Sequence, residues 1–356
     1  MSFRSTLGIW KYNTRRQLTR SIVTQAVGFR TRRLIVFLTP GFDSPNGGIM
    51  SIASIYRESA VLQDIHHARV AICTVPGDPP LLKYTWFKNN NYLLDLEALL
   101  HRCGPLDYLL LHVPEYAVDR VGDWLETQLR KLQPIKELHL NVLVQHIDIA
   151  REQDFKRLTR FGTVTGTTAH EAYTNTSTRD ALGIPLHRLS VCFGPERYSH
   201  RAYADKQSVL MVSHDEHPFK ERVLAEIERA LPELKIQVIR NISFESYLEI
   251  ARSAKWSLTF GEGLDSYFCD PVFNGGVSFA VYNERFFTPA FAKLETVYPS
   301  WEILMDRIAS DLRRLDEPVG YGRCWQQAWD ILNGLYNVER FRENLRTFYR
   351  GEYTFP

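Results

Sequence analysis

Two acids stand eight positions apart in the segment KWSLTFGEGLDSYFCDPVFNGGVSFAVYNERFFT, residues 255–288: Glu262 and Asp270. A carboxylate can accept two hydrogen bonds from a vicinal diol, so acids held on a turn can grip the hydroxyls of a sugar or a ribose. Glu262, Gly263, Leu264 and Asp265 form one candidate ligand loop, and Gly275 follows the second acid by five positions. The elements that must position them read directly from the pattern. Trp256 to Phe260 is an apolar run that predicts a buried strand stopped by Gly261. Asp270 and Pro271 predict a helix start, with an N-cap acid and a first-turn proline. Gly275 and Gly276 end that helix, and Val277 to Tyr282 predicts the next strand. Strand, acidic loop, short helix, glycine, strand is the ligand-binding edge of an open α/β sheet. The plainer reading is two acids on a solvated loop and a helix cap.

Other polar groups fall at comparable places. The strand SVLMVS is followed by His214-Asp-Glu-His217-Pro-Phe-Lys220 and then by the helical pattern ERVLAEIERAL. Lys220 therefore stands at a helix start, where phosphate is favoured by the free N–H groups and by the dipole. Near the amino end, LIVFLTPG predicts a first buried strand, and Gly47 and Gly48 precede a helical pattern. The pair is not a dinucleotide fingerprint, because G-x-G-x-x-G is absent. His146 ends the strand LHLNVLVQH, whereas His112 and His170 read as structural histidines. The aromatic and polar stretch LLKYTWFKNNNYLL suits the lining of an acceptor cleft.

The spacing from Glu262 to Asp270, with Gly275 beyond it, resembles the E-x7-E segment of retaining nucleotide-sugar glycosyltransferases of the GT-B fold, of the family 4 type. The resemblance implies that Glu262 meets the donor sugar and Asp270 the ribose. It implies that Gly47, Gly48 and His146 approach the donor sugar from the first domain. Lys220 would neutralise the diphosphate, with His214 or His217 standing in for the arginine that the family carries there. In this sequence the second acid is Asp, Asp265 stands at a usual glycine, and Val277 replaces a usual proline. No metal and no cofactor is implied, since the nucleotide-sugar is a substrate. The implied catalytic groups are Glu262, His146 and Lys220.

The alternation of strands and helices predicts two doubly wound Rossmann-like α/β domains facing a central cleft. The expected division is an acceptor-side domain over 1–200 with a basic arm, a nucleotide-sugar domain over 201–323, and helices over 324–356 that cross back. The polar stretch Gly194 to Asp205 is the expected linker. Further readings are a helix from Ala169, a helix over Ser300 to Leu315, and a break at Pro318 to Gly322. A net charge of +2 over 356 residues gives no field that would select nucleic acid. Five scattered cysteines form no zinc pattern and fit reduced thiols in a cytoplasmic enzyme. Residues 1–33 carry eight basic side chains and no acid among scattered apolar ones. Such an arm suits an anionic membrane surface, and equally a solvated arm packed on its own domain. The expected function is sugar transfer from a nucleotide-diphosphate donor to a glycan or lipid-linked glycan, in bacterial surface polysaccharide synthesis. Two rivals stand beside it. One is another GT-B enzyme, either a nucleotide-monophosphate-sugar transferase or a sugar-nucleotide epimerase. The other is a non-catalytic sugar-binding subunit.

Overall fold

The computed structural model describes residues 17–131, 134–151, 153–191 and 198–356. The chain splits into two compact units. One comprises residues 1–169, 174–189 and 342–356, and the other comprises residues 170–173 and 190–341.

The first unit is built on six strands: β1 (Arg33–Thr39), β2 (Arg69–Thr74), β3 (Leu106–Pro114), β4 (Ile135–Val144), β5 (Thr163–Thr168) and β6 (Leu186–Arg188). Every pair is parallel, in the order β2-β1-β3-β4-β5-β6. Leu34 to Leu38 have no solvent exposure, as a strand covered on both faces requires. The strand order reverses between β1 and β3, which opens a crevice at their carboxyl ends.

The second unit has β7 (Gln207–Val212), β8 (Lys235–Val238), β9 (Ala254–Leu258), β10 (Val277–Val281) and β11 (Val297–Tyr298), in the order β11-β10-β9-β7-β8. These pairs are also parallel. Alternate residues of β7 serve the two faces. Leu210 and Val212 join a core with Trp256, Phe279 and Ile308. Val209 and Met211 pack with Tyr247 and Ala251 on the other side. Here the order reverses between β7 and β9.

Three local expectations are corrected. The helix read from Ala169 is a 3-10 turn at Glu171–Tyr173 followed by a helix at Thr176–Leu182, because Asn175 supplies the cap by accepting from Thr178 N. Pro318 does break the preceding helix, Trp301–Leu315, but it also opens the next one, Pro318–Tyr336. Glu317 caps that start, and proline at the first turn loses no helical hydrogen bond. The helix expected to start at Asp270 starts at Ser266 instead. Part of the expected linker, residues 194–197, and residues 1–16 of the basic arm lie outside the described residues. The rest of the arm includes a helix over residues 17–28, with Leu18, Ile22 and nearby Phe29 more than half exposed. Among the described residues no helix is long and apolar enough to cross a membrane.

Candidate functional site

The candidate residues fall into two sets, one at the carboxyl edge of each sheet. In the second unit, β7 and β9 are tied where the strand order reverses. Ser213 N donates to Leu258 O (3.1 Å), and Phe260 N donates to the Ser213 hydroxyl (2.9 Å). The loops leaving these two strands therefore lie side by side.

The β7 loop is held by Lys220, the first residue of the helix Lys220–Ala230. Its side chain is buried, and Nζ donates to the carbonyls of Ser213 (3.0 Å) and Asp215 (2.6 Å). Burial lowers the pKa of this ammonium. Lys220 thus folds back beneath its own loop and places a positive charge there. His214 is exposed and pairs through Nδ1 with the Tyr267 hydroxyl (2.9 Å). His217 lies on Trp301 with ring centroids 4.0 Å apart, and Trp301 stacks on Phe260 at 5.0 Å. Burial lowers the His217 pKa, so the ring is neutral at pH 7.

The β9 loop carries the acids. Gly263 adopts φ +91°, and a Cβ there would stand 2.5 Å from the Phe287 ring, so only glycine fits. This turn presents Glu262, which is half-buried, and places Leu264 in the core. Asp265 and Asp215 converge from the two loops. A Cβ on Gly261 would lie 3.1 Å from an Asp265 oxygen and 2.9 Å from an Asp215 oxygen. Asp265 accepts from Phe268 N (3.1 Å) and from the Thr259 hydroxyl (2.6 Å). Burial pushes its carboxyl up to about 7 against those two bonds, and the neighbouring charges of Asp215 and Glu262 add to the rise.

Asp265, not Asp270, is the N-cap of the helix Ser266–Phe273, which corrects the sequence reading. The reason is local. Asp265 stands three residues before Phe268, whose N–H needs an acceptor, and the buried face Phe268-Cys269-Val272 begins there. Pro271 consequently sits inside the helix. Asp270 is wholly buried, and its carboxylate accepts the hydroxyls of Tyr198 (2.8 Å) and Tyr247 (2.7 Å). Gly275 follows at φ +89°, where a Cβ would meet the Arg201 carbonyl at 2.3 Å. Its glycine character is required by that backbone and by the helix end.

In the first unit, Asn46 caps the helix Gly47–Ala60 by accepting from Ile49 N (3.2 Å). Gly47 faces open space, whereas a Cβ on Gly48 would meet the Gln145 amide at 2.6 Å. Gln145 Nε2 donates to Gly48 O (3.1 Å), and His146 N donates to the Glu115 carboxylate (3.0 Å). The structure thus brings Gly48 and His146 to one edge and adds Gln145 and Glu115. His112 is a core residue, stacked on Phe37 at 4.1 Å. Burial holds it neutral.

Sequence reasoning missed Asp215, Trp301, Tyr267, Gln145 and Glu115. Asp215 and Glu115 were legible as acids just past strand ends. Trp301 had no such signal, because it comes from a helix far along the chain.

No family model matches the sequence, and no curated protein matches it. Solved structures do match. Sucrose-phosphate synthase from Thermosynechococcus elongatus aligns at 12% identity over 90% of this chain and 99% of that one, with a TM-score of 0.57. Alr3699/HepE from Anabaena, in complex with UDP and glucose, aligns at 11% identity over 90% and 100%, with a TM-score of 0.53. The fold is that of GT-B glycosyltransferase structures. A third match with this fold is a trehalose-6-phosphate protein from E. coli bound with UDP-2-fluoro glucose, at 9% identity over 88% and 99%, with a TM-score of 0.52. Among the described residues no group of three or more His, Cys, Asp or Glu side chains is arranged to hold a metal ion.

Proposed function

We propose that this protein is a glycosyltransferase that moves a sugar from a nucleotide-diphosphate donor to a hydroxyl of a glycan or lipid-linked glycan. The observation that carries the reading is the acidic turn Glu262-Gly263-Leu264-Asp265 at the point where the second sheet reverses its strand order. Open parallel sheets bind their ligands there. Glu262 is the acceptor for the sugar hydroxyls. The helix start at Lys220 and the charge beneath it face the diphosphate, stabilising the leaving group as negative charge develops. Asp270 reaches a ribose by exchanging the Tyr198 hydroxyl for the ribose diol. His214 and His217 line the nucleotide side, and Gly47, Gly48 and His146 are sugar-contacting groups at the carboxyl edge of the first sheet. The acid spacing favours retention of configuration. Uracil is the favoured base, because Alr3699/HepE binds UDP and the E. coli protein binds a UDP-sugar analogue.

The exposed Leu18, Ile22 and Phe29 beside a run of basic residues support an amphipathic arm at an anionic membrane surface. Peripheral attachment to the cytoplasmic face and assembly of a bacterial surface polysaccharide fit a lipid-linked acceptor. One observation favours the second reading, a sugar-binding subunit without turnover: Lys220 spends two bonds on its own loop. Thermal-shift screening against nucleoside mono- and diphosphates tests donor binding, since a specific ligand stabilises the folded state by mass action. Release of UDP from UDP-sugars then separates enzyme from binder. No stabilisation by any nucleotide refutes the donor reading, and stabilisation without turnover selects the binding subunit.

A further inference from the structure

A cavity of about 290 Å³ opens at the amino edge of the first sheet, the edge opposite to the one that carries Gly48 and His146. Its floor is set by strand register. Arg33 pairs with Tyr108, and Tyr108 pairs with Glu137, so the three side chains share one face in a row across β1, β3 and β4. Neighbouring strands lie about 4.8 Å apart, which puts the Arg33 and Glu137 backbones about 10 Å apart. The Arg33 guanidinium lies 4.5 Å from the centre of the Tyr108 ring. Neither Arg33 nor Glu137 has an ion-pair partner among the described residues. The far wall is aromatic: Phe348 and Tyr353 stand 5.8 Å apart just where the last helix ends. Beneath, the Tyr108 hydroxyl is fixed by His139 Nδ1 (3.1 Å), whose Nε2 meets the Thr165 hydroxyl (2.8 Å).

We propose that this cavity binds one sugar ring of a glycan. A guanidinium offers only donors and a carboxylate only acceptors, and here they flank a gap. A small anion would meet the Glu137 carboxylate as well as the Arg33 and Arg350 guanidiniums, and an apolar ligand would leave the donors and acceptors of this charged rim unmatched. A pyranose satisfies both, because its hydroxyls donate and accept while its C–H faces lie against aromatic rings. The volume suits one ring rather than a drug-sized ligand. The proposal stands without the transfer reading, because none of these residues belongs to the donor edge.

The test is saturation-transfer NMR on the full-length protein, with methyl glucoside, N-acetylglucosamine and glucuronate at millimolar concentration, with and without UDP. At least one sugar is expected to receive saturation. Arg33→Met and Glu137→Gln should each raise its Kd about tenfold, as loss of a charge-assisted bond implies, without moving Tm. Glu262→Ala should leave this binding intact. The proposal is overturned if no sugar receives saturation, if both variants bind as the parent does, or if Glu262→Ala abolishes the signal. Failure of the transfer reading shows up separately, as absent UDP stabilisation.

Discussion

Replacing Asp270 separates its structural part from its part in ligand binding. The carboxylate has no solvent exposure and accepts the hydroxyls of Tyr198 and Tyr247 at 2.8 and 2.7 Å. Truncation to alanine removes both charge-assisted bonds. Tyr247 is only 8% exposed and cannot turn to water, but its hydroxyl keeps the Ser266 carbonyl at 2.9 Å, so its loss is that of one charge-assisted bond, about 1.5–3 kcal/mol. Tyr198 is partly exposed and recovers a water partner, which costs less. The sum for Asp270→Ala is about 2–4 kcal/mol, a fall in Tm of about 10 °C for a unit of this size. Asp270→Asn keeps one acceptor oxygen and should lose about half as much. Thermal and urea unfolding measure both. If ribose takes the place of the Tyr198 hydroxyl, Asp270→Asn weakens nucleotide binding at least about tenfold, and Tyr198→Phe leaves it unchanged or tighter. An Asp270→Ala protein as stable as the parent refutes the buried network. Unchanged nucleotide affinity in a folded Asp270→Asn protein removes Asp270 from the donor site and leaves only its structural part.

Glu262→Ala should lower transfer at least about a hundredfold while nucleotide affinity persists, since its partner is the sugar; equal losses in both would assign Glu262 to the loop rather than the ligand. Lys220→Met should lower both Tm and transfer, the latter at least about a hundredfold, and a drop in Tm with kcat unchanged would make the lysine a loop staple only. His139 is buried neutral, with its pKa pushed down to about 4 by burial. The unfolded chain binds this proton near pH 6.5, so stability is full above that pH and is lost as pH falls toward 4, by about 3 kcal/mol from this group. The buried His66, His112 and His187 are shifted the same way, and urea unfolding from pH 7 to 4 should show a steep loss that His139→Asn makes shallower.

The strands were legible because both sheets are parallel and covered on two faces, which forces continuous apolar runs such as Leu34–Leu38. The acidic turn was legible because glycine at a strand end is a local signal. The Asp270 cap misled because acid followed by proline has two solutions. It starts a helix when the N–H groups after it are unpaired, but Asp265 had already claimed the Phe268 N–H. Lys220 was found by position, yet its bonds to the Ser213 and Asp215 carbonyls depend on how the loop closes beneath it. Residues brought by distant elements stayed hidden: Trp301 over His217, and Tyr247 on Asp270, are set by packing and leave no spacing in the chain.

The acidic turn also constrains where a diphosphate can sit. Asp215, Glu262 and Asp265 gather around Gly261, and a diphosphate brings charge of the same sign. Two unit charges about 6 Å apart repel by about 3 kcal/mol at an effective dielectric of 20. Phosphates are therefore held off the β9 turn and toward the helix start above Lys220, which leaves hydroxyl donors for the acids. Asp265 responds to this field, because its carboxyl titrates at about 7. Each added negative charge raises that value further, so nucleotide-diphosphate binding should draw a proton onto Asp265 near neutral pH. The sign follows. A raised pKa favours the protonated carboxyl, so affinity is highest below pH 7 and declines as pH rises through it. Calorimetry in buffers of different ionisation enthalpy should record proton uptake between pH 6.5 and 8, and Asp265→Asn should remove both the uptake and the pH slope. A donor that binds with no uptake in the parent protein, or with the same slope in Asp265→Asn, would mean that the diphosphate lies out of reach of this turn.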